Sequence, residues 1–415
     1  MKKLIHFAVL AMLLPLCGCC GKVAGNTGTD EDPEVFNPQA WSLNMGLGWN
    51  LGNSLDAHAG GVSSETCWGN GKASQKTFDA IRSMGFGCVR IPITWMGHIG
   101  EAPAYTIESA WMNRVAEVVG YAHKAGLKVI INVHHDGYRE NAQVRGGWLD
   151  IRSAFESDAA DRQIRERLAA VWKQIAERFK NEGDWLVFET MNEIHDGGWG
   201  YGDNLKNSRQ YNILNEWNQL CLDAIRSAGG CNADRYVALA GYATNPSLTV
   251  NYLRLPKDSA ENRLVVAVHS YDPYEYATEA KFDEWGHTGK TMAPGSSELD
   301  YTMMLDNLVK KFLLNGVPVY MGEFGCVHRS SEKAESFRKY YLEYTVKAMR
   351  DRGIAPIVWD NGSAAAGKEA FGLVNHADGS CINNAREIVR TMVNAWSNND
   401  EKYTLSSVYD KAPQF

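Results

Sequence analysis

The chain has 415 residues, 45% of them hydrophobic and 22% charged, with a formal net charge of −7. That balance supports a well-packed soluble core and excludes wholesale disorder. It gives no electrostatic reason to expect a nucleic-acid partner, which would call for a basic stripe.

Chain order begins with a targeting segment. Lys2 and Lys3 precede the apolar run LIHFAVLAMLLPL, and small residues and cysteines follow in CGCCG. A run of this length is too short to span a bilayer and fits a signal peptide. The stretch LCGC resembles a bacterial lipoprotein processing site. That resemblance implies Cys19 as the lipidated residue, with Cys20 the weaker alternative, and attachment to a membrane through lipid alone. The expected division is a signal peptide over residues 1–19, a flexible tether rich in Gly, Thr, Asp and Pro over 20–38, one domain over 39–400 and a short tail over 401–415. The expected location is outside the cytoplasm, as a cell-surface or periplasmic (outer-membrane) lipoprotein of a bacterium, or otherwise secreted. Beyond the signal region lie Cys67, Cys88, Cys221, Cys231, Cys326 and Cys381, with no CxxC or Cys/His metal spacing. Most read as small hydrophobes. A Cys221–Cys231 disulfide is the pairing that export would permit.

Past the tether, short apolar runs recur: MGLGWNLG (45–52), GCVRIPITW (87–95), KVIINVHH (128–135), WLVFETMNE (185–193), YVALAGY (236–242), LVVAVHSYDP (264–273), VPVYMGEFG (317–325) and APIVWDNG (355–362). Most lack polar alternation, as strands buried on both faces do. Amphipathic segments separate them, from SQKTFDAIRSMG in the first gap to NNAREIVRTMVNAW after the last, and only the fifth gap, NPSLTVNYL, is weak. Eight strands alternating with about eight helices predict an α/β fold, a single (β/α)8 TIM barrel. The alternative is an open doubly wound sheet, but GWNLGNSLD stands where a phosphate-binding GxGxxG turn would be expected.

In such barrels the chemistry sits at the C-terminal ends of the strands. Polar residues collect there: Arg90; His134 and His135; Asn192 and Glu193; His269 and Tyr271; Glu323; Trp359. Two apolar runs each end on a carboxylate, Glu193 and Glu323. A pair of carboxyl groups flanking a bond is what glycoside hydrolysis requires, one protonated and one ionised. Arg90 is available to favour the ionised form of a neighbour. Read singly, each Glu is as well explained as a helix N-cap neighbour or a rim ion-pair partner; a buried ion-pair partner is the lesser alternative for Arg90, and plain core for Trp359. His134 and His135 are expected on opposite faces of a strand, and so as poor joint metal ligands. His269 and Tyr271, two apart, share a face.

Together GWNLGNSLDA, ETCWGN, GFGCVRIPITW, VIINVHHDGY, FETMNEIHD, VHSYDPY, YMGEFG and IVWDNG resemble glycoside hydrolase family 5, in particular its bacterial endo-β-1,4-glucanase and xyloglucanase subfamily (subfamily 4), over residues 41 to 397. The resemblance implies a (β/α)8 barrel and a retaining mechanism through a covalent glycosyl-enzyme. It implies Glu193 as acid/base and Glu323 as nucleophile, with Arg90 and Tyr271 on that nucleophile. Asn192 would hold the sugar 2-hydroxyl, His134 and His269 would line the same subsite, and Trp359 would form its floor. Asn53, His135 and Asn361 match sugar-facing positions. It further implies no cofactor and no metal, a plant cell-wall β-glucan as polysaccharide partner, and a monomer. Three departures stand out: Ile194 where the family has Pro, Gly71 at the end of WGNG, and Val358 before Trp359. The rival readings are the same mechanism on β-mannan or xylan, and a glycan-binding barrel without catalysis.

Overall fold

The computed structural model describes residues 36–137, 147–197 and 208–415. Eight strands, all parallel, close into a barrel: β1 (Gly48–Asn50), β2 (Cys88–Ile91), β3 (Lys128–Asn132), β4 (Leu186–Glu189), β5 (Val237–Ala240), β6 (Leu264–Ser270), β7 (Val319–Phe324) and β8 (Ala355–Val358). Each pairs with its sequence neighbours, and β1 pairs with β8 to complete the ring. The (β/α)8 expectation holds. The strands are shorter than the apolar runs that announced them, because the ends of those runs turn out of the ladder to build the rim.

Helices cover the outside. Gln75–Ser83, Ser109–Lys124, Asp158–Arg178, Arg209–Ser227, Glu298–Lys311, Glu332–Arg352 and Ala385–Ser397 fall in the amphipathic segments. The weak fifth gap forms a helix of only seven residues, Pro246–Tyr252, started by Pro246 and capped by Asn245. One large apolar cluster fills the space between strands and helices. A second, small one lies inside the barrel, where Cys88, Ile130, Val187, Ala267, Tyr320 and Ile357 meet Trp41 and Met45. Trp41 and Met45 come from the helix Pro38–Met45, which closes the end of the barrel where the strands begin.

Side chains on a strand alternate between faces. The inward face that carries Cys88, Ile130 and Val187 therefore carries Arg90, Asn132 and Glu189 one step later. On β6 and β7 the register slips between Val268 and His269, so that His269 lies abreast of Glu323. Such a bulge re-aims a side chain, and here it brings the last inward residues of both strands level.

Residues 401–415 do not form a loose tail. Thr404 caps a helix, Leu405–Tyr409, whose Val408 is buried. Tyr409 stacks on His287 at 3.7 Å between ring centres, and Tyr403 donates to Glu343 at 2.7 Å. Cys221 is a buried free thiol, so no disulfide joins it to Cys231. Among the described residues no helix is long and apolar enough to cross a membrane. Cys19, the signal segment and most of the tether lie outside the described residues.

Candidate active site

Arg90 organises the mouth of the barrel. Its side chain is fully buried, and all five of its N–H bonds are used. Nε and Nη2 donate to the two oxygens of Glu189 at 2.9 and 2.7 Å. Nη1 donates to Asn50 at 3.0 Å and to Glu323 at 2.7 Å. Nη2 also donates to Asn192 at 2.7 Å. A guanidinium is a rigid planar fork, so these bonds fix the carboxylate of Glu323 in one plane. Burial works against the charge on Arg90, but Glu189 and Glu323 more than offset it and raise its pKa.

The second Glu323 oxygen accepts from the Tyr271 hydroxyl at 3.0 Å. Burial, and then the neighbouring carboxylates, hold that phenol well above its ordinary range, so it stays a donor. Glu323 is itself pushed up, by burial first and also by Glu193, against the pull of His269 and Arg90. Glu193 differs. Its side chain is 20% exposed and shares one hydrogen bond, 2.8 Å, with His269 Nδ1. Loss of bulk water raises its pKa to about 7, with Glu189 adding to the rise and Arg90 opposing it. His269 Nδ1 stands 3.7 Å from Glu323 Oε1 as well. One oxygen of each carboxylate and this nitrogen all lie within 4.8 Å of one another.

This is a close pair of carboxyl groups with different environments. One is gripped by a guanidinium and a phenol. The other is held by the His269 imidazole and the Thr244 side chain at the edge of solvent. Close spacing suits attack by one carboxylate on a sugar carbon, whereas inverting enzymes leave a wider gap for water.

The sugar side of the site is aromatic and imidazole-rich. Trp359 lies parallel to His134, 4° apart in plane and 6.2 Å between centres. A Cβ on Gly52 would sit 2.7 Å from the Trp359 ring, so the turn GWNLGN needs glycine there. Gly322 meets the same demand, since its Cβ would come 2.9 Å from His269 Nε2. Asn132 donates to His134 Nδ1 at 3.1 Å. Burial holds His134 neutral, its pKa well below the usual range. A neutral ring that accepts at Nδ1 carries its proton on Nε2.

His134 and His135 are closer than the sequence suggested. The ladder of β3 stops at Asn132, and His135 opens a 3-10 turn, His135–Gly137, so strand alternation no longer applies. Their rings stand 4.3 Å apart. With Asp56 they bring ligand atoms within 4.8 Å, as Glu193, His269 and Glu323 do. The Asp56 oxygens, however, already accept from the backbone N–H of Ser54 and Asn53 at 2.7 and 3.0 Å. In the second group Arg90 donates to the Glu323 oxygen, and Glu193 shares a hydrogen bond with His269.

The family model described as Cellulase (glycosyl hydrolase family 5) matches residues 55–365. The chain belongs to glycoside hydrolase family 5. A solved Bacteroidetes-affiliated family 5 cellulase, linked with a polysaccharide utilization locus, is 52% identical, with a TM-score of 0.90, over 92% of this chain and 98% of its own. A broad-specificity endoglucanase from Bacteroides salanitronis is 47% identical, with a TM-score of 0.84, over 90% and 100%. Endoglucanase A of Paenibacillus barcinonensis is 35% identical over 80% of this chain and 84% of its own.

The barrel thus brings together Arg90, His134, Asn192, Glu193, His269, Tyr271, Glu323 and Trp359. Asn53 reaches the site through backbone: its N–H donates to Asp56 and its carbonyl accepts from Asn70. The Asn361 amide is committed to its own loop, donating to Glu369 O at 2.7 Å and accepting from Ser363 and Phe371. Where the family has proline, the Ile194 N–H donates to Asn192 O, a bond that proline could not make. Sequence reading missed Glu189. Its signal was there, an ionisable residue ending the apolar strand LVFE four positions before Glu193, but only the barrel places it against Arg90.

Proposed function

We propose that the chain is a retaining endo-β-1,4-glucanase in which Glu323 is the nucleophile and Glu193 the acid/base. Glu323 attacks the anomeric carbon while the Glu193 proton passes to the departing glycosidic oxygen. A covalent glycosyl ester on Glu323 results. Glu193, now ionised, takes a proton from water, which attacks the anomeric carbon, breaks its bond to the Glu323 oxygen and frees Glu323. Arg90 and Tyr271 hold the attacking carboxylate, and the neutral His134 donates to the sugar at the cleavage point. Asn192 accepts from Arg90, and its amide nitrogen makes no hydrogen bond among the described residues, leaving it for the 2-hydroxyl. Trp359 stacks beneath the ring.

The observation that carries this reading is the convergence of both carboxylates on His269 Nδ1, at 2.8 and 3.7 Å, with Arg90 and Tyr271 holding only Glu323. The substrates we infer are unbranched and branched β-1,4-glucans: cellulose-type chains, mixed-linkage glucan and xyloglucan. The test is a set of initial rates on xyloglucan, barley mixed-linkage glucan, carboxymethylcellulose and glucomannan, with product sizes. Mid-chain cleavage of the glucans supports the reading. Preference for glucomannan, or inertness of the folded protein, would overturn it.

We also propose that Cys19 carries a lipid that tethers the enzyme to the outside of a bacterial membrane, as the LCGC motif suggests. Cys19→Ala should move it from the membrane to the soluble fraction.

A further inference from the structure

Glu189 lies beneath the two reacting carboxylates, touches no open space and is used by no step above. Its side chain is 0% exposed. Each oxygen accepts two hydrogen bonds: Oε1 from Arg90 Nη2 and Asn132 Nδ2, at 2.7 and 2.9 Å, and Oε2 from Arg90 Nε, at 2.9 Å, and the Tyr320 hydroxyl. A buried carboxylate is costly unless paired and fully hydrogen-bonded, and this one is both. The pairing is bidentate, whereas Glu323 receives a single Arg90 bond. Arg90 is therefore oriented from below by Glu189 and presents what remains of its fork to Glu323, Asn50 and Asn192.

We propose that Glu189 is a positioning residue for the hydrolysis: it fixes the plane of Arg90 and offsets part of its charge, and so sets the pH window in which Glu323 is ionised while Glu193 keeps its proton. The inference rests on the catalytic reading above. The groups facing this centre are Arg90 from β2, His134 beyond β3, Glu193 beyond β4, His269 and Tyr271 from β6 and its end, Tyr320 and Glu323 from β7, and Asp56 beyond β1. Burial keeps His134 and His269 neutral and Tyr271 and Tyr320 protonated. Asp56 is pushed up to about 7, also by burial. Between the two limbs of the profile the standing charges are then Arg90, Glu189 and Glu323. Arg90 draws down the pKa of both Glu323 and Glu193, and Glu189 adds to the rise of Glu193. Removing the Glu189 charge leaves Arg90 less compensated, which favours the ionised form of both carboxyls.

The experiment is the pH profile of kcat/KM for wild type and Glu189→Gln on an aryl cellobioside and on a soluble β-glucan. The expected result on the β-glucan is a bell whose two limbs both move to lower pH, by about one unit, the lower end of what a nearby charge does to a pKa; on the aryl cellobioside, whose activated leaving group needs no proton from Glu193, the acid limb moves likewise. The height of the profile should fall similarly on both substrates, because the nucleophile serves both. Tyr320→Phe is the control: it removes a hydrogen bond from the same carboxylate but leaves the charge, so its limbs stay where they are in wild type. A Glu189→Gln bell that is lowered but not displaced would reduce Glu189 to a structural residue and overturn the proposal. If that variant does not fold, glutamate-labelled carbon NMR of wild type decides: one carboxyl must remain ionised across the whole bell. Titration of every buried glutamate within it would overturn the proposal. A wild-type enzyme with no hydrolytic bell is a different failure, that of the catalytic reading.

Discussion

Inside the barrel, two layers are built from the same strands on the same face. The lower holds Cys88, Ile130, Val187, Ala267 and Tyr320. The upper, a step further along each strand, holds Arg90, Asn132, Glu189, His269 and Glu323. Both are buried to within a few per cent, so exposure does not tell them apart. The difference lies in direction. The lower layer is held by contact, which tolerates changes of shape that preserve volume. The upper is held by hydrogen bonds whose loss leaves a buried charge unpaired. Tyr320 joins them, its ring in the apolar layer and its hydroxyl on Glu189.

Substitutions can test that contrast by their effect on turnover. Glu323→Ala should abolish it on all substrates, by on the order of 10⁵-fold or more, as loss of a nucleophile does. It should leave the fold intact, because Arg90 keeps Glu189. Glu193→Ala should cost roughly 10²- to 10⁴-fold on polysaccharide. Aryl glycosides with good leaving groups need no proton and should be spared. Equal losses on both substrate types would contradict the acid assignment.

The wild-type profile sharpens the comparison between the two carboxyls. Turnover needs Glu323 ionised, and its pKa is raised above the ordinary 4.5, so activity should fall on the acid side at a pH above 4.5. It needs Glu193 protonated, and that group is raised to about 7, so activity should fall again as pH rises through about 7. Tyr271→Phe removes one bond to a charged oxygen. Such bonds are worth roughly 1.5–3 kcal/mol, so kcat/KM should drop by about ten- to a hundredfold. The smallest effect on turnover belongs to the lower layer. Ile130→Ala should cost about 2–5 kcal/mol of stability, read by denaturant unfolding, with kcat per folded molecule unchanged. A large loss of kcat there would erase the distinction between the layers.

The lower layer was the easier to read in advance. Eight apolar runs announce eight strands because burial on both faces leaves an uninterrupted hydrophobic signature. Pro246–Tyr252 is faint because seven residues give barely two turns of period. The last fifteen residues look like a tail because the stretch is short, yet buried Val408 and Ala412, with Tyr403 and Tyr409, seat them. In the upper layer, strand ends pointed to Arg90, Glu193, His269, Tyr271 and Glu323. Glu189 escaped because its meaning depends on a partner 99 positions away. The His134–His135 geometry escaped because the ladder of β3 ends before those residues, a matter of hydrogen bonds that the apolar run does not mark.

The central claim is that Glu323 forms the covalent bond. The direct test is to incubate the enzyme with an activated 2-deoxy-2-fluoro cello-oligosaccharide glycoside, measure the intact mass and map the labelled peptide. The account predicts one added glycosyl group, esterified to Glu323 within VYMGEFG, and none on Glu323→Ala. A label on Glu193 or Glu189, or release of product with inverted configuration and no adduct, would contradict it.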